Sequence, residues 1–230
     1  MQGFLKSVSA SGSLRVLAAL LGYPDTQMRV YLPEMREILG SECALSATRL
    51  AELDALIDAL GHADPLETEA NYVELFDRSR ATSLHLFEHV HGDTRERGPA
   101  MIDLAQTYEK AGLYLAPGEL PDYLPAVLEF VSTQPPVEAR AFLGEMTHIF
   151  NALFSALQQR ASPYASVLGA LLDLAGERAQ SVKLAPEPTL DESWAEPVVF
   201  DGCSAQGQTK PGQPQPIHFV RNNANPGVIV

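Results

Sequence analysis

Cysteine is nearly absent from this chain. Cys43 and Cys203 stand far apart with no C-x-x-C pair, which excludes a disulfide framework or a thiolate zinc site and fits a reducing cytoplasm. Basic residues are scarce as well: 16 Lys and Arg face 29 Asp and Glu, for a formal net charge of -13. A surface of that sign cannot displace counterions from phosphates, so nucleic acid is excluded as a partner and basic partners are favoured. A long apolar run is also missing. The opening MQGFLKSVSASGSLRVLAALLGYPD is interrupted by Ser, Gly and Arg15, and its pattern is amphipathic, so it reads as neither signal peptide nor membrane span, and direct membrane insertion is not expected. There is no G-x-S-x-G elbow, no G-x-x-x-x-G-K-[ST] loop and no G-x-G-x-x-G after a strand, which removes the usual sequence support for acyl transfer, P-loop chemistry and dinucleotide binding.

What is present is helical periodicity. Leu14, Leu17, Ala18 and Leu21 fall at i, i+3, i+4 and i+7 before Gly22 and Pro24, which marks a helix and its stop. Leu50, Leu53, Leu56, Ile57 and Leu60 repeat the pattern up to Gly61. In DPLE, Asp64 is placed to cap, Pro65 to open and Glu67 to complete a capping box for a helix running through NYVELF. Another helix is predicted from Pro99, through Met101, Leu104, Ala105 and Tyr108, to near Gly112. After the breaker Pro135-Pro136, one long helix carries Phe142, Met146, Ile149, Phe150, Leu153 and Leu157, and Ser162-Pro163 caps a last one with Val167, Leu168, Leu171 and Leu172. No run of alternating apolar residues appears before residue 196. The fold class is all-α: a single helical-bundle domain over residues 1–185. Residues 186–230 hold seven of the 17 prolines and little helical periodicity, so they read as a Pro/Gly-rich flexible tail.

The stretch HLFEHVH, residues 85–91, holds His85, Glu88 and His89 at H-x-x-E-H spacing, with His91 and Asp93 beside them. On a helix these three would share a face, as in an inverted zinc-protease motif. A zinc site needs a third protein ligand, and none is assigned. The competing reading is a polar surface whose imidazoles bond to Glu88 and Asp93 while Leu84, Leu86, Phe87 and Val90 turn inward.

The flanks of that stretch are more specific. LFDR at 75–78, RATSL at 80–84, LFEHVHG at 86–92 and Arg95 with Arg97-Gly98, together with LLGYPD at 20–25 and ELPDYLPAVLEF at 119–130, closely resemble the respiratory nitrate reductase assembly chaperones of the NarJ family. The resemblance covers most of residues 12–180. It implies the all-helical TorD-like fold, no catalysis, and a cytoplasmic, system-specific chaperone. The partner it implies is the apo catalytic (alpha) subunit of a membrane-bound nitrate reductase, held by its N-terminal segment while molybdenum cofactor is inserted. The chaperone itself needs no cofactor.

By resemblance, the residues expected to meet that peptide are His85, Glu88, His89, His91, Asp93, Glu119, Asp122 and Tyr123. Tyr72, Phe76, Arg78, Arg80 and Arg95 are expected to support the groove; no catalytic residue and no metal ligand is assigned. The wider group carries E-x-P-D-H, against Glu119, Pro121, Asp122 and then Tyr123 here, so an imidazole is replaced by a phenol that stays protonated. Asp122 has a second reading as N-cap of the helix that follows, with Pro125 at N3. Tyr72, Leu75 and Phe76 fall at core spacing, and Arg78, Arg80, Arg95 and Arg97 read either as salt-bridged surface or as fixing the loops of the groove. The alternative function is a metal-dependent hydrolase using residues 85–89.

Overall fold

A computed structural model describes residues 10–91 and 94–182. Eleven α-helices occur among these: α1 Ser11–Leu21, α2 Thr26–Val30, α3 Leu32–Glu42, α4 Ala47–His62, α5 Pro65–Tyr72, α6 Leu86–Val90, α7 Arg97–Lys110, α8 Leu124–Ser132, α9 Pro136–Glu145, α10 Thr147–Gln159 and α11 Ala165–Ala175. The only β pairing among the described residues is an isolated antiparallel bridge between His85 and Tyr123. The expected tail and Cys203 lie outside the described residues.

Helix α1 is central because three faces of it are apolar. Leu17, Leu20 and Leu21 are fully covered where α1 packs on α8, α3 and α11, and α10 and α11 close the other side of the core with Phe150, Leu153, Leu157, Leu168 and Leu171. A helix buried this deeply needs partners for its first amide groups. Its own N-cap, Ala10, has none to offer; the Glu42 carboxylate at the end of α3 instead accepts from the Gly12 and Ser13 amides (2.8 and 2.6 Å) and from the Ser13 hydroxyl (2.6 Å). The negative group at the positive end of the helix dipole stabilises α1 further.

Several expected boundaries move, each for a visible reason. Gly61 does not stop α4, which runs on to His62; the Arg29 guanidinium donates to Ala63 O (2.7 Å) just past that end. Asp64 caps α5 through the Glu67 amide (3.0 Å), and NYVELF is helical as expected, but Val73–Asp77 widens into a π turn, with the Arg78 amide reaching back to Val73 O (3.2 Å). Helix α7 begins at Arg97, two residues ahead of Pro99. The single long helix predicted over 142–157 is two, α9 and α10, meeting at Met146. There the Thr147 hydroxyl donates to Gly144 O (2.9 Å), competing for a carbonyl that a continuous helix would give to the backbone. Ser162-Pro163 forms the turn before α11 rather than its cap, which is Tyr164. Helix α2 is too short to show a pattern, whereas α3 carries one that the sequence reading passed over: Leu32, Met35 and Leu39 at i, i+3 and i+7, with Pro33 in its first turn.

Glu42→Ala is expected to destabilise the fold by about 1–2 kcal/mol, because three donors lose one shared acceptor. Urea denaturation of the two proteins checks it, and an unchanged midpoint would remove the capping role.

Candidate functional site

Residues 72–91 and 119–124 meet at one end of the bundle. The π turn sets Phe76 against the core side of Tyr72, ring centroids 4.8 Å apart, and turns Arg78 outward to Glu74 (2.9 Å). A short 3-10 turn, Arg80–Thr82, is tied back by the Thr82 hydroxyl donating to Leu75 O. The chain then extends through Leu84 and His85 and pairs with the loop before α8: the Leu86 amide donates to Asp122 O (3.0 Å) and the Leu124 amide to Leu84 O (2.9 Å).

Asp122 is the centre of this junction and is 0% exposed. One carboxylate oxygen accepts from the Phe87 amide (3.2 Å) and the other from His85 Nδ1–H (3.3 Å). Arg97 Nη2 lies 3.9 Å from Asp122 and 3.7 Å from Glu88. Asp122 therefore caps α6, not α8. The N-cap of α8 is Tyr123, with Pro125 at the second helical position, where a missing amide costs no intrahelical bond. The capping reading was right about the kind of role and wrong about which helix receives it.

The H-x-x-E-H spacing does not place its three residues on one helical face. Helix α6 starts at Leu86 and His85 precedes it in extended backbone. The two imidazoles are engaged separately, His85 on Asp122 and His89 through Nε2–H on Ser83 O (2.8 Å). Among the described residues no three His, Cys, Asp or Glu side chains are grouped to hold a metal ion. The hydrogen bond to Asp122 raises the pKa of His85, with burial opposing it and Glu88 adding to it.

The remaining expected residues fall around this centre. The Tyr123 hydroxyl lies 3.2 Å from that of Tyr72, which donates to Leu21 O at the end of α1 (2.7 Å). Burial pushes the Tyr123 phenol up from its ordinary value, so it stays neutral where the wider group has an imidazole. His91 packs edge-on against Phe87 at 5.2 Å. The Glu119 carboxylate accepts from the Ala116 amide (3.1 Å) within its own exposed loop. Arg95 is exposed, and Asp93 lies outside the described residues. Leu84 and Leu86 turn inward as expected, but Val90 does not: it is 50% exposed.

Helix α6 is thereby a ridge between two hollows. On one side, a polar cavity of about 410 Å³ is lined by Asp77, Arg78, Arg80, His85, Glu88 and Arg97, with Ser79 and Ser83. On the other, an apolar cleft of about 230 Å³ is lined by Leu86, Phe87, Val90, Leu104, Val127, Phe142 and Ile149, with Glu145 and His148 at its edge. Sequence reasoning left out the apolar half. Phe87 and Leu86 were visible within HLFEHVH, but Leu104, Val127 and Phe142 look like ordinary core positions until the helices are assembled. Among the described residues no helix is long and apolar enough to cross a membrane.

Comparison with known proteins agrees with this architecture. Residues 43–169 match the family described as nitrate reductase delta subunit. The chain is 41% identical over 198 residues to the nitrate reductase molybdenum cofactor assembly chaperone NarJ of Escherichia coli K12, covering 86% of this chain and 84% of that protein. It is 40% identical over 216 residues to NarW of the same strain, covering 92% and 85%. A crystal structure of a redox enzyme maturation protein from Archaeoglobus fulgidus superposes with a TM-score of 0.53 at 19% identity, over 77% of this chain and 97% of that one, which identifies the fold as the all-α, TorD-like type. With a family match over more than half of its length and two-fifths identity to NarJ over most of both proteins, the chain belongs to the nitrate reductase delta subunit family, and its relatives NarJ and NarW are named as assembly chaperones.

Proposed function

We propose that this protein is a system-specific chaperone for a respiratory nitrate reductase. It binds the apo catalytic (alpha) subunit in the cytoplasm through that subunit's N-terminal segment and keeps it competent for molybdenum cofactor insertion before membrane attachment. The observation that carries the reading is the ridge of α6, with an apolar cleft on one flank and a charged cavity on the other, in a chain whose relative NarJ is named a nitrate reductase molybdenum cofactor assembly chaperone. An amphipathic helix is recognised by apolar anchors in a groove, with charge at the rim setting orientation and association rate. Glu145 beside the apolar cleft and a formal net charge of -13 suit a basic helix, while the polar cavity, where Arg78, Arg80 and Arg97 stand with Asp77 and Glu88, carries both signs.

Within this reading His85, Glu88, His89, His91, Glu119 and Tyr123 remain the polar contacts, while Asp122, being fully buried, acts by positioning α6. Tyr72 and Phe76 support from the core, and Arg78, Arg80 and Arg95 from the charged flank.

Calorimetric titration of the protein with a peptide of the reductase N-terminal segment, in buffer with a chelator, is expected to show saturable one-to-one binding. Replacing His85, Glu88 and His89 together by Ala should weaken it by about 1–2 kcal/mol, roughly tenfold. Equal affinity in a variant with native circular dichroism would remove the polar flank from the site. Binding that appears only when zinc replaces the chelator would favour the hydrolase.

His85 also makes stability depend on pH. Its folded pKa is raised, so its bond to Asp122 stabilises fully below the unfolded value of about 6.5 and is lost as pH rises through the folded value. The melting temperature of His85→Ala should therefore fall further below wild type at about pH 6 than at about pH 8.5. A gap that is constant or widens with pH would contradict the assignment.

A further inference from the structure

The apolar cleft is too small for the occupant just assigned to it. At about 230 Å³ it lies below the range of about 300–1,000 Å³ typical even of small-molecule sites, whereas a helix with its side chains is about 10 Å across and seats several anchors at once. A wider seat requires one of its walls to move.

The walls are not equally held. Helix α6 is pinned by the two backbone bonds flanking Asp122 and by its carboxylate. Val127 and Ile149 belong to helices rooted in the core. Helix α7 differs: Tyr108 is its only fully buried residue, Ile102 on it is 59% exposed, and it forms no packing seam with another helix comparable to α1 on α8 or α10 on α11. It reaches the cleft through Leu104. Its N-terminal end is held by Arg97, whose guanidinium approaches Glu88 and Asp122 only to 3.7 and 3.9 Å. Its C-terminal end is held by the Tyr108 hydroxyl donating to Pro121 O (2.8 Å), just before Gly112 at φ +79°, a conformation glycine adopts without cost.

We propose that α7 is a lid, and that the apolar face of the partner helix seats on the bed α7 now covers, formed by Leu86, Phe87, Val127, Phe142 and Ile149. Arg97 is the catch at one end and the Tyr108 to Gly112 turn the hinge at the other. The inference rests on the reading that the cleft receives the reductase segment. Closure then lowers apparent affinity by the fraction of molecules that are open, so weakening the lid strengthens binding.

The test uses the full chain and the reductase N-terminal peptide. Leu104→Ala removes only a partly covered side chain from the lid; it is expected to bind the peptide about two- to tenfold more tightly, with faster association, whereas Phe142→Ala in the bed binds more weakly. In the free wild-type protein, hydrogen exchange should be faster across 97–110 than across 124–132 and 147–159. Weaker or unchanged binding by Leu104→Ala, or exchange of 97–110 in step with the core, overturns the lid. A wild-type protein that binds no peptide overturns the chaperone reading instead, and the exchange comparison in the free protein then decides the lid alone.

Discussion

Asp122 is a charged group with no access to solvent, and a carboxylate in that position is stable only while it is hydrogen-bonded. Its partners are the Phe87 amide, the His85 imidazole and the nearby Arg97 guanidinium, which come from a strand-like segment, the start of α6 and the start of α7. One buried charge thus requires three pieces of chain to converge. The loop carrying it runs directly into α8, which packs along α1, so the position of α6 is referred to the centre of the core. Both the charged cavity and the apolar cleft take their shape from where α6 stands.

The same junction explains why the histidines of HLFEHVH are engaged with the protein itself. His85 adds a donor to the Asp122 carboxylate and His89 donates to Ser83 O, and in doing so they fix the turn before α6. In the proposed binding mode these same side chains border the partner on the polar flank, and the apolar ones of the cleft meet it on the other. In that proposed mode affinity and orientation are separated in space: burial of apolar surface supplies the first and charge the second. Tyr123 in place of the wider group's imidazole links α5 to this loop through Tyr72 with a group that does not titrate near neutrality, whereas the His85 imidazole beside it has its pKa raised by Asp122.

Much of the fold was legible because local rules agreed with the global arrangement. The apolar spacing of residues 14–21, the Asp64 cap and the apolar positions of 149–157 all describe elements that form where the pattern puts them. The boundaries that moved did so where a side chain competed for backbone groups, as Thr147 does at Gly144 O, or where a guanidinium supplied a helix end with donors, as Arg29 does beyond Gly61. The π turn at Val73–Asp77 was invisible, since NYVELF has ordinary helical spacing and the extra residue in the turn shows only in the bond from Arg78 to Val73.

For the site, the sequence by itself determined the residue types, the helical class and the family, through LFDR, RATSL, LFEHVHG and the Glu119 to Tyr123 stretch. These are matters of local order and composition, which a linear string carries completely. Only the tertiary structure decided that Asp122 caps a helix 35 residues earlier in the chain, that His85 stands outside that helix, and that Leu104, Val127 and Phe142 join Phe87 in one cleft. Those relations depend on which distant segments meet, and that is settled by the packing of apolar faces and the satisfaction of one buried charge.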